Sequence, residues 1–193
     1  FNSSATSLVA GDTNNRPDVF VHDRHAGFTE RVSVSTGGAQ GNGYSYYGLA
    51  ISADGRYVAF ASSASNLAPG ASGFYEIFLR DRQAGTTELV SVKNPGPTTT
   101  DSTWPAVSAD GRYIAFMSGS NHVVPEDVNF MYDVFVRDRQ TGVTKRVSVD
   151  SLGTAPNGDS GFPSISADGL NIAFHSGAFN LVVGDDNDAY DIF

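Results

Sequence analysis

The chain has 193 residues, enough for one substantial core or two small ones. It holds no cysteine, which excludes disulfides, thiolate metal sites and cysteine nucleophiles. Its net charge of -9, from 21 acids against 12 bases, argues against a nucleic-acid partner, and no apolar run approaches the ~20 residues of a membrane helix.

Glycine, serine and aromatic residues are plentiful and leucine, lysine and glutamate sparse, a composition of strands and turns. In chain order, "FNSS" (1–4) reads as the tail of a strand, since it aligns with "FASS" at 60–63. "PDVFVHDRHAGFTERVSV" (17–34) gives two strands joined by a tight turn. A polar, glycine-rich connector and "YSYYG" (44–48) lead into a short inner strand at Ile51-Ser52. "ADG" (53–55) is a turn, with aspartate bonding its own backbone and glycine accepting positive φ. "RYVAF" (56–60) alternates with period two, as a strand packed on both faces does. A loop then reaches "YEIFLRDR" (75–82), the turn "QAG" (83–85) and a last strand in "TTELVSV" (86–92).

The same succession then recurs. "ISADGRYVAF" (51–60) returns as "VSADGRYIAF" (107–116) and "ISADGLNIAF" (165–174), and "DVFVRDRQTG" (133–142) matches 76–85 and 18–27. Asp54, Asp110 and Asp168, like Phe20, Phe78, Phe135 and Phe193, repeat at intervals of 56 to 58 residues. No segment sustains a 3.6-residue period with caps, so essentially no helix is expected. Four antiparallel strands per period, repeated radially, are the sequence form of β-propeller blades. The divisions expected are a partial blade at 1–36, blades at 47–92 and 104–149, and a partial blade at 162–193. Slightly more than three periods is fewer than a typical ring holds. Phe1 is neither an initiator methionine nor the start of a signal pattern. Two expectations follow: this is part of a longer chain, or copies complete the ring as a homo-oligomer through open blade edges.

"SADGRYVAF" followed by "NLV-x-GD" and "DVFVRDRQTG" resembles the TolB-type, WD-like propeller repeat of bacterial secreted and periplasmic proteins. That resemblance implies an extracellular or periplasmic binding or scaffolding platform and no single activity.

"GDSGFP" (158–163) looks like the surroundings of a protease nucleophile, but it aligns with "TDSTWP" (100–105) and is the ordinary lead-in to an inner strand. His22, His25, His122 and His175 share no triad context, so no catalytic residue is assigned.

The loop between second and third strands carries Asp-x-Asn-x-x-x-Asp three times: Asp12, Asn14, Asp18; Asp127, Asn129, Asp133; Asp185, Asn187, Asp191. Oxygens so spaced can converge on Ca²⁺, the one cofactor expected, or can merely shape the turn. In the remaining copy, "GASGFYE" (70–76), both leading oxygens are lost together, which favours a shared role. Charged runs at the third-strand ends, such as Arg80-Asp81-Arg82 and Arg137-Asp138-Arg139, read as an ion-pair ladder, solvated or between blades. Aromatic residues precede each inner strand: Tyr44, Tyr46, Tyr47, Trp104 and Phe162. Tyr47, Trp104 and Phe162 are the expected ligand face, for a protein or glycan, unless they pack as core between blades. The leading expectation is a non-catalytic binding or structural module; the alternatives are the propeller portion of a larger prolyl-oligopeptidase-like hydrolase and a self-assembling subunit.

Overall fold

The structure, a computed structural model, describes residues 1–92, 101–187 and 189–193. Strands β1 (Asn2–Ser3), β2 (Asp18–Asp23) and β3 (Phe28–Arg31) form one sheet. A second consists of β4 (Ser45–Ile51), β5 (Tyr57–Ser62), β6 (Glu76–Asp81) and β7 (Thr86–Leu89). A third consists of β8 (Ser102–Val107), β9 (Tyr113–Ser118), β10 (Asp133–Asp138) and β11 (Val143–Arg146). The fourth holds β12 (Ser160–Ile165), β13 (Ile172–Ser176) and β14 (Asp191–Ile192). Each sheet is an antiparallel meander in chain order, the arrangement of a propeller blade.

The period-two pattern of "RYVAF" explains how blades stack. Val58, Phe60 and Phe78 turn to one side and pack with Val19 and Val32 of the preceding sheet. Ala59, Ala61, Ile77 and Leu79 turn to the other and pack with Ile114, Phe116 and Phe135 of the next. Val134 continues the series against Phe174 and Leu181. Each fully buried phenylalanine contributes about 1.5–3 kcal/mol relative to exposure.

One ring pair is repeated in every blade: Phe60–Phe78 at 5.9 Å, Phe116–Phe135 at 5.8 Å, Phe174–Phe193 at 6.0 Å and Phe1–Phe20 at 5.7 Å. Phe1 thus holds the place of Phe60, as the alignment of "FNSS" with "FASS" requires. The turns repeat as closely. Ser52 donates to Asp54 (2.6 Å) and Asp54 accepts the Arg56 N–H (3.0 Å); Ser108 and Asp110, and Ser166 and Asp168, do the same. The glycine of this turn is fixed twice over. Gly111 has φ of 69°, and a Cβ there would sit 2.2 Å from the Tyr57 ring of the preceding blade.

Candidate functional site

The first two Asp-x-Asn loops are built around a guanidinium. In the first, Asn14 Nδ2 donates to Asp18 (3.0 Å), its Oδ1 accepts the Arg16 N–H (2.9 Å), and Ser33 donates to the other Asp18 oxygen (2.6 Å). Arg31 Nη1 then reaches both Asp12 (3.3 Å) and Asp18 (3.4 Å). The second loop reproduces this with Asn129, Asp133 and Ser148, and with Arg146 at 3.3 Å from Asp127 and 3.2 Å from Asp133. Register explains why: Phe20 faces Arg31 and Phe135 faces Arg146 across the third and fourth strands, so the arginine comes under the loop.

In the first two loops this donor set does not suit Ca²⁺. A positive group already stands between the two carboxylates, and each asparagine directs N–H, not oxygen, toward its aspartate. Among the described residues no group of three or more histidine, cysteine or acidic side chains could hold a metal. In the third loop Asn187 likewise donates to Asp191 (3.0 Å), while Asp185 lies half-buried. In "GASGFYE" the arginine is lost together with the leading oxygens. Ala71 stands for Asp12, and Leu89, opposite Phe78, stands for Arg31, so an ion cluster is exchanged for an apolar pair packed on the core. Arg31 and Arg146 were not singled out from the sequence, although "TERVSV" and "TKRVSV" against "TELVSV" carry the signal.

Asp127 is the exceptional member. It is 2% exposed and its Oδ2 has no hydrogen-bond partner among the described residues. Burial, and then the neighbouring Asp133, push its carboxyl up to about 6 despite Arg146.

On the opposite loop end, the charged runs form a ladder within and between blades. Arg56 pairs with Asp81 (2.6 Å) and Arg112 with Asp138 (2.8 Å) within a blade. Arg82 reaches Glu30 and Arg139 reaches Glu88 across blades, both at 2.5 Å. Arg56 holds Asp81 down to about 2. Arg139 also lies over the Tyr57 ring, 5.1 Å from its centroid.

The residues leading into the inner strands converge. Tyr46, Tyr47, Trp104, Pro105, Phe162 and Pro163 line a cavity of about 570 Å³ formed by β4, β8 and β12. The rings of Trp104 and Phe162 lie 5.0 Å apart, and Tyr47 meets Tyr46 edge-on at 5.3 Å and Tyr75 at 4.7 Å. Four of these rings are not blade core: Trp104, Tyr47, Phe162 and Tyr46 are exposed by 40% (Trp104) to 54% (Tyr46), while Tyr75 packs on the core and Pro105 is buried. Tyr44, also exposed, stands apart under Arg16, 4.6 Å from its ring centroid.

A bulge at one place in each inner strand aims the rings. Pairing with β5, β9 and β13 shifts between Ser45 and Leu49, Thr103 and Ala106, and Gly161 and Ser164. There Gly48, Trp104 and Phe162 hold φ of 94°, 53° and 52°. Such a conformation costs a non-glycine residue about 1–3 kcal/mol. Gly48, rather than Tyr47, therefore occupies the position of Trp104 and Phe162. The reason is close approach: a Cβ on Gly48 would fall 2.8 Å from Trp104 Cα. Tyr47 and Tyr46 supply rings from one and two residues earlier. Pro105 and Pro163 follow the strained residue and suit a bulge, where a ladder donor is not needed.

Ser160 is structural. Its hydroxyl is buried and bonded to Ser176 at 2.8 Å, as Ser45 is to Ser62 and Ser102 to Ser118, both at 2.9 Å.

No protein-family model and no curated protein sequence matches this chain. Solved structures do. TolB from Acinetobacter baumannii superimposes over 95% of this chain with a TM-score of 0.54 at 19% identity. The tricorn protease does so over 94%, with a TM-score of 0.56 at 17% identity, and a putative TolB from Agrobacterium tumefaciens over 77%, at 0.50 and 25%. The chain spans 36%, 15% and 43% of those proteins respectively. With the four meander sheets and their repeated ring pairs, these likenesses give the chain the fold of the TolB-type β-propeller repeat.

Proposed function

We propose that this chain is a non-catalytic binding or scaffolding module, working outside the cytoplasm, whose partner lies across the aromatic row of β4, β8 and β12. The observation that carries this reading is the row itself. Large rings stay half-exposed beside a well-packed core, and two of them are held at positive φ where glycine would be unstrained. Strain retained at exposed aromatic side chains supports the reading of the row as a preorganised recognition surface. The cavity offers ring faces and few polar groups, which suits a protein or glycan partner. The hydrolase alternative draws on the likeness to the tricorn protease, which is one of fold. The test is a peptide and glycan array probed with the wild-type chain and with Trp104→Ala. Binding that the variant loses supports the proposal; an array on which both give the same signal refutes it.

A further inference from the structure

We propose that Asn157 is a site of spontaneous covalent modification: its side chain closes on the Gly158 nitrogen, and the ring reopens to leave isoaspartate in the backbone. The reaction is deamidation through a cyclic imide, with water as the co-reactant. It needs a free glycine nitrogen beside a side-chain amide or carboxyl. Five dipeptides in the sequence have that form: Asn42-Gly43, Asp54-Gly55, Asp110-Gly111, Asn157-Gly158 and Asp168-Gly169. The fold sorts them.

Three are closed off. In each "ADG" turn the glycine N–H is already donated, Gly55 to Ser52 O (2.9 Å), Gly111 to Ser108 O (3.0 Å) and Gly169 to Ser166 O (2.9 Å). The hydroxyls of Ser52, Ser108 and Ser166 hold these aspartate carboxyls below the usual range, and an ionised carboxylate has no leaving group to expel.

The two Asn-Gly pairs are open, and unequally so. Among the described residues neither Gly43 nor Gly158 donates its N–H to an acceptor. Both asparagines are exposed, and each Oδ1 accepts a backbone N–H from the loop after the second strand, Ser65 to Asn42 at 2.9 Å and Phe179 to Asn157 at 3.1 Å. That N–H steadies the negative charge that gathers on Oδ1 as the nitrogen adds. Asn42 is tied further: its Nδ2 donates to Ser65 Oγ (3.0 Å), and Gly43 is buried away from base. Asn157 Nδ2 has no such partner among the described residues, and Gly158 is only half-buried. Nor can another residue replace the glycine. A Cβ on Gly158 would fall 2.8 Å from the Gly177 backbone, and one on Gly43 2.4 Å from that of Ser63.

Gly158 N, its proton lost to base, bonds to Asn157 Cγ; the Cγ–Nδ2 bond breaks, and ammonia leaves with a proton returned from water. Water then adds to the imide. Opening at Cγ gives aspartate, and opening at the main-chain carbonyl gives isoaspartate, whose backbone runs through Cβ and Cγ. Nothing is oxidised or reduced. The extra main-chain carbon enters beside Gly158, where the backbone has no room. Just beyond, Asp159 accepts the Tyr132 N–H (2.9 Å) and Ser160 donates to Tyr132 O (2.7 Å), the bonds that seat β12 on the preceding blade.

The test holds the 193-residue chain in warm, mildly alkaline buffer and follows it by peptide mapping, with electron-based fragmentation to tell isoaspartate from aspartate. In the folded chain Asn157 is expected to convert about fivefold faster than Asn42, which has one more hydrogen bond to break, while Asp54, Asp110 and Asp168 stay unchanged. In urea the gap between the two asparagines is expected to close. Asn157→Gln, whose longer side chain cyclises slowly, is expected to leave Asn42 as the converting site. Anion exchange separates the aged chain by its added charge. Its isoaspartate fraction is expected to unfold at lower urea than Asn157→Asp, which carries the same charge on an unaltered backbone. Equal or faster conversion at Asn42 or in an "ADG" turn of the folded chain overturns the inference, and so does an Asn157 that stays intact. An isoaspartate form as stable as Asn157→Asp overturns the part assigned to the close packing at Gly158.

Discussion

Replacing Arg146 with leucine tests whether the guanidinium holds the Asp-x-Asn loop. Arg146 is 9% exposed at its side chain, and the Asp127 and Asp133 side chains are 0% exposed. Removing the cation leaves two buried carboxylates without their counter-charge. Breaking a buried pair this way costs about 3–5 kcal/mol. Asp127→Ala alone removes a carboxylate whose Oδ2 has no partner, while Asp133 keeps Ser148, Asn129 and Arg146. Its effect at neutral pH is expected to stay within about 1 kcal/mol. The double variant Asp127→Ala/Arg146→Leu recreates the Ala71 and Leu89 pair already present one blade earlier. It is expected to recover about 1–3 kcal/mol of the Arg146→Leu loss, a coupling that only interacting neighbours show. Urea unfolding, followed by circular dichroism and by Trp104 emission, gives the four stabilities of the cycle. A double variant as unstable as Arg146→Leu would refute the reasoning, since the carboxylate would then not be what the arginine neutralises.

Asp127 also predicts a pH dependence. Its folded pKa, raised to about 6, lies above that of an unfolded aspartate, so it favours folding at low pH and that contribution is lost as pH rises through about 6. Between pH 7 and pH 5 the wild type is expected to gain about 1 kcal/mol relative to Asp127→Asn, read from urea midpoints. Gly142→Ala meets its nearest atom at 3.9 Å and bears only the positive-φ penalty of about 1 kcal/mol, whereas Gly111→Ala also drives a methyl into Tyr57. Denaturant midpoints are expected to separate the two by a further ~2 kcal/mol. Phe162→Gly is expected to change stability by less than about 1 kcal/mol, because relief of positive φ offsets the loss of a half-exposed ring. Phe135→Ala, in the core, is expected to cost about 3–5 kcal/mol in the same assay.

What could be read from the sequence was whatever recurs along it. The period, the four strands and the "ADG" turns follow from residues that return at fixed intervals, and the ring pairs Phe60–Phe78 and Phe116–Phe135 are those intervals seen in space. The loop oxygens were visible too, but their use was not. Aspartate and asparagine oxygens accept from a guanidinium or a backbone N–H as readily as they ligate a metal. Only the register that sets Arg146 opposite Phe135 decides between them. The aromatic row was legible as residues and not as geometry. Nothing in "STWPAV" announces that Trp104 takes φ of 53°, or that the shift of pairing turns its ring toward Phe162.

Repetition also separates architecture from recognition. Ser45, Ser102 and Ser160 are the same residue in three blades because each closes the same buried hydroxyl pair. A few steps further along the same strands the backbone repeats its bulge, but the side chains do not: glycine, tryptophan and phenylalanine occupy one position. Architecture explains the glycine, which admits the neighbouring strand, and the bulge, which all three share. It gives no reason to place large rings where the backbone would relax with no side chain at all. The strain at Trp104 and Phe162 is held by the bulges and by the contact of the two rings at 5.0 Å, and on the proposed reading it keeps those rings presented before a partner arrives.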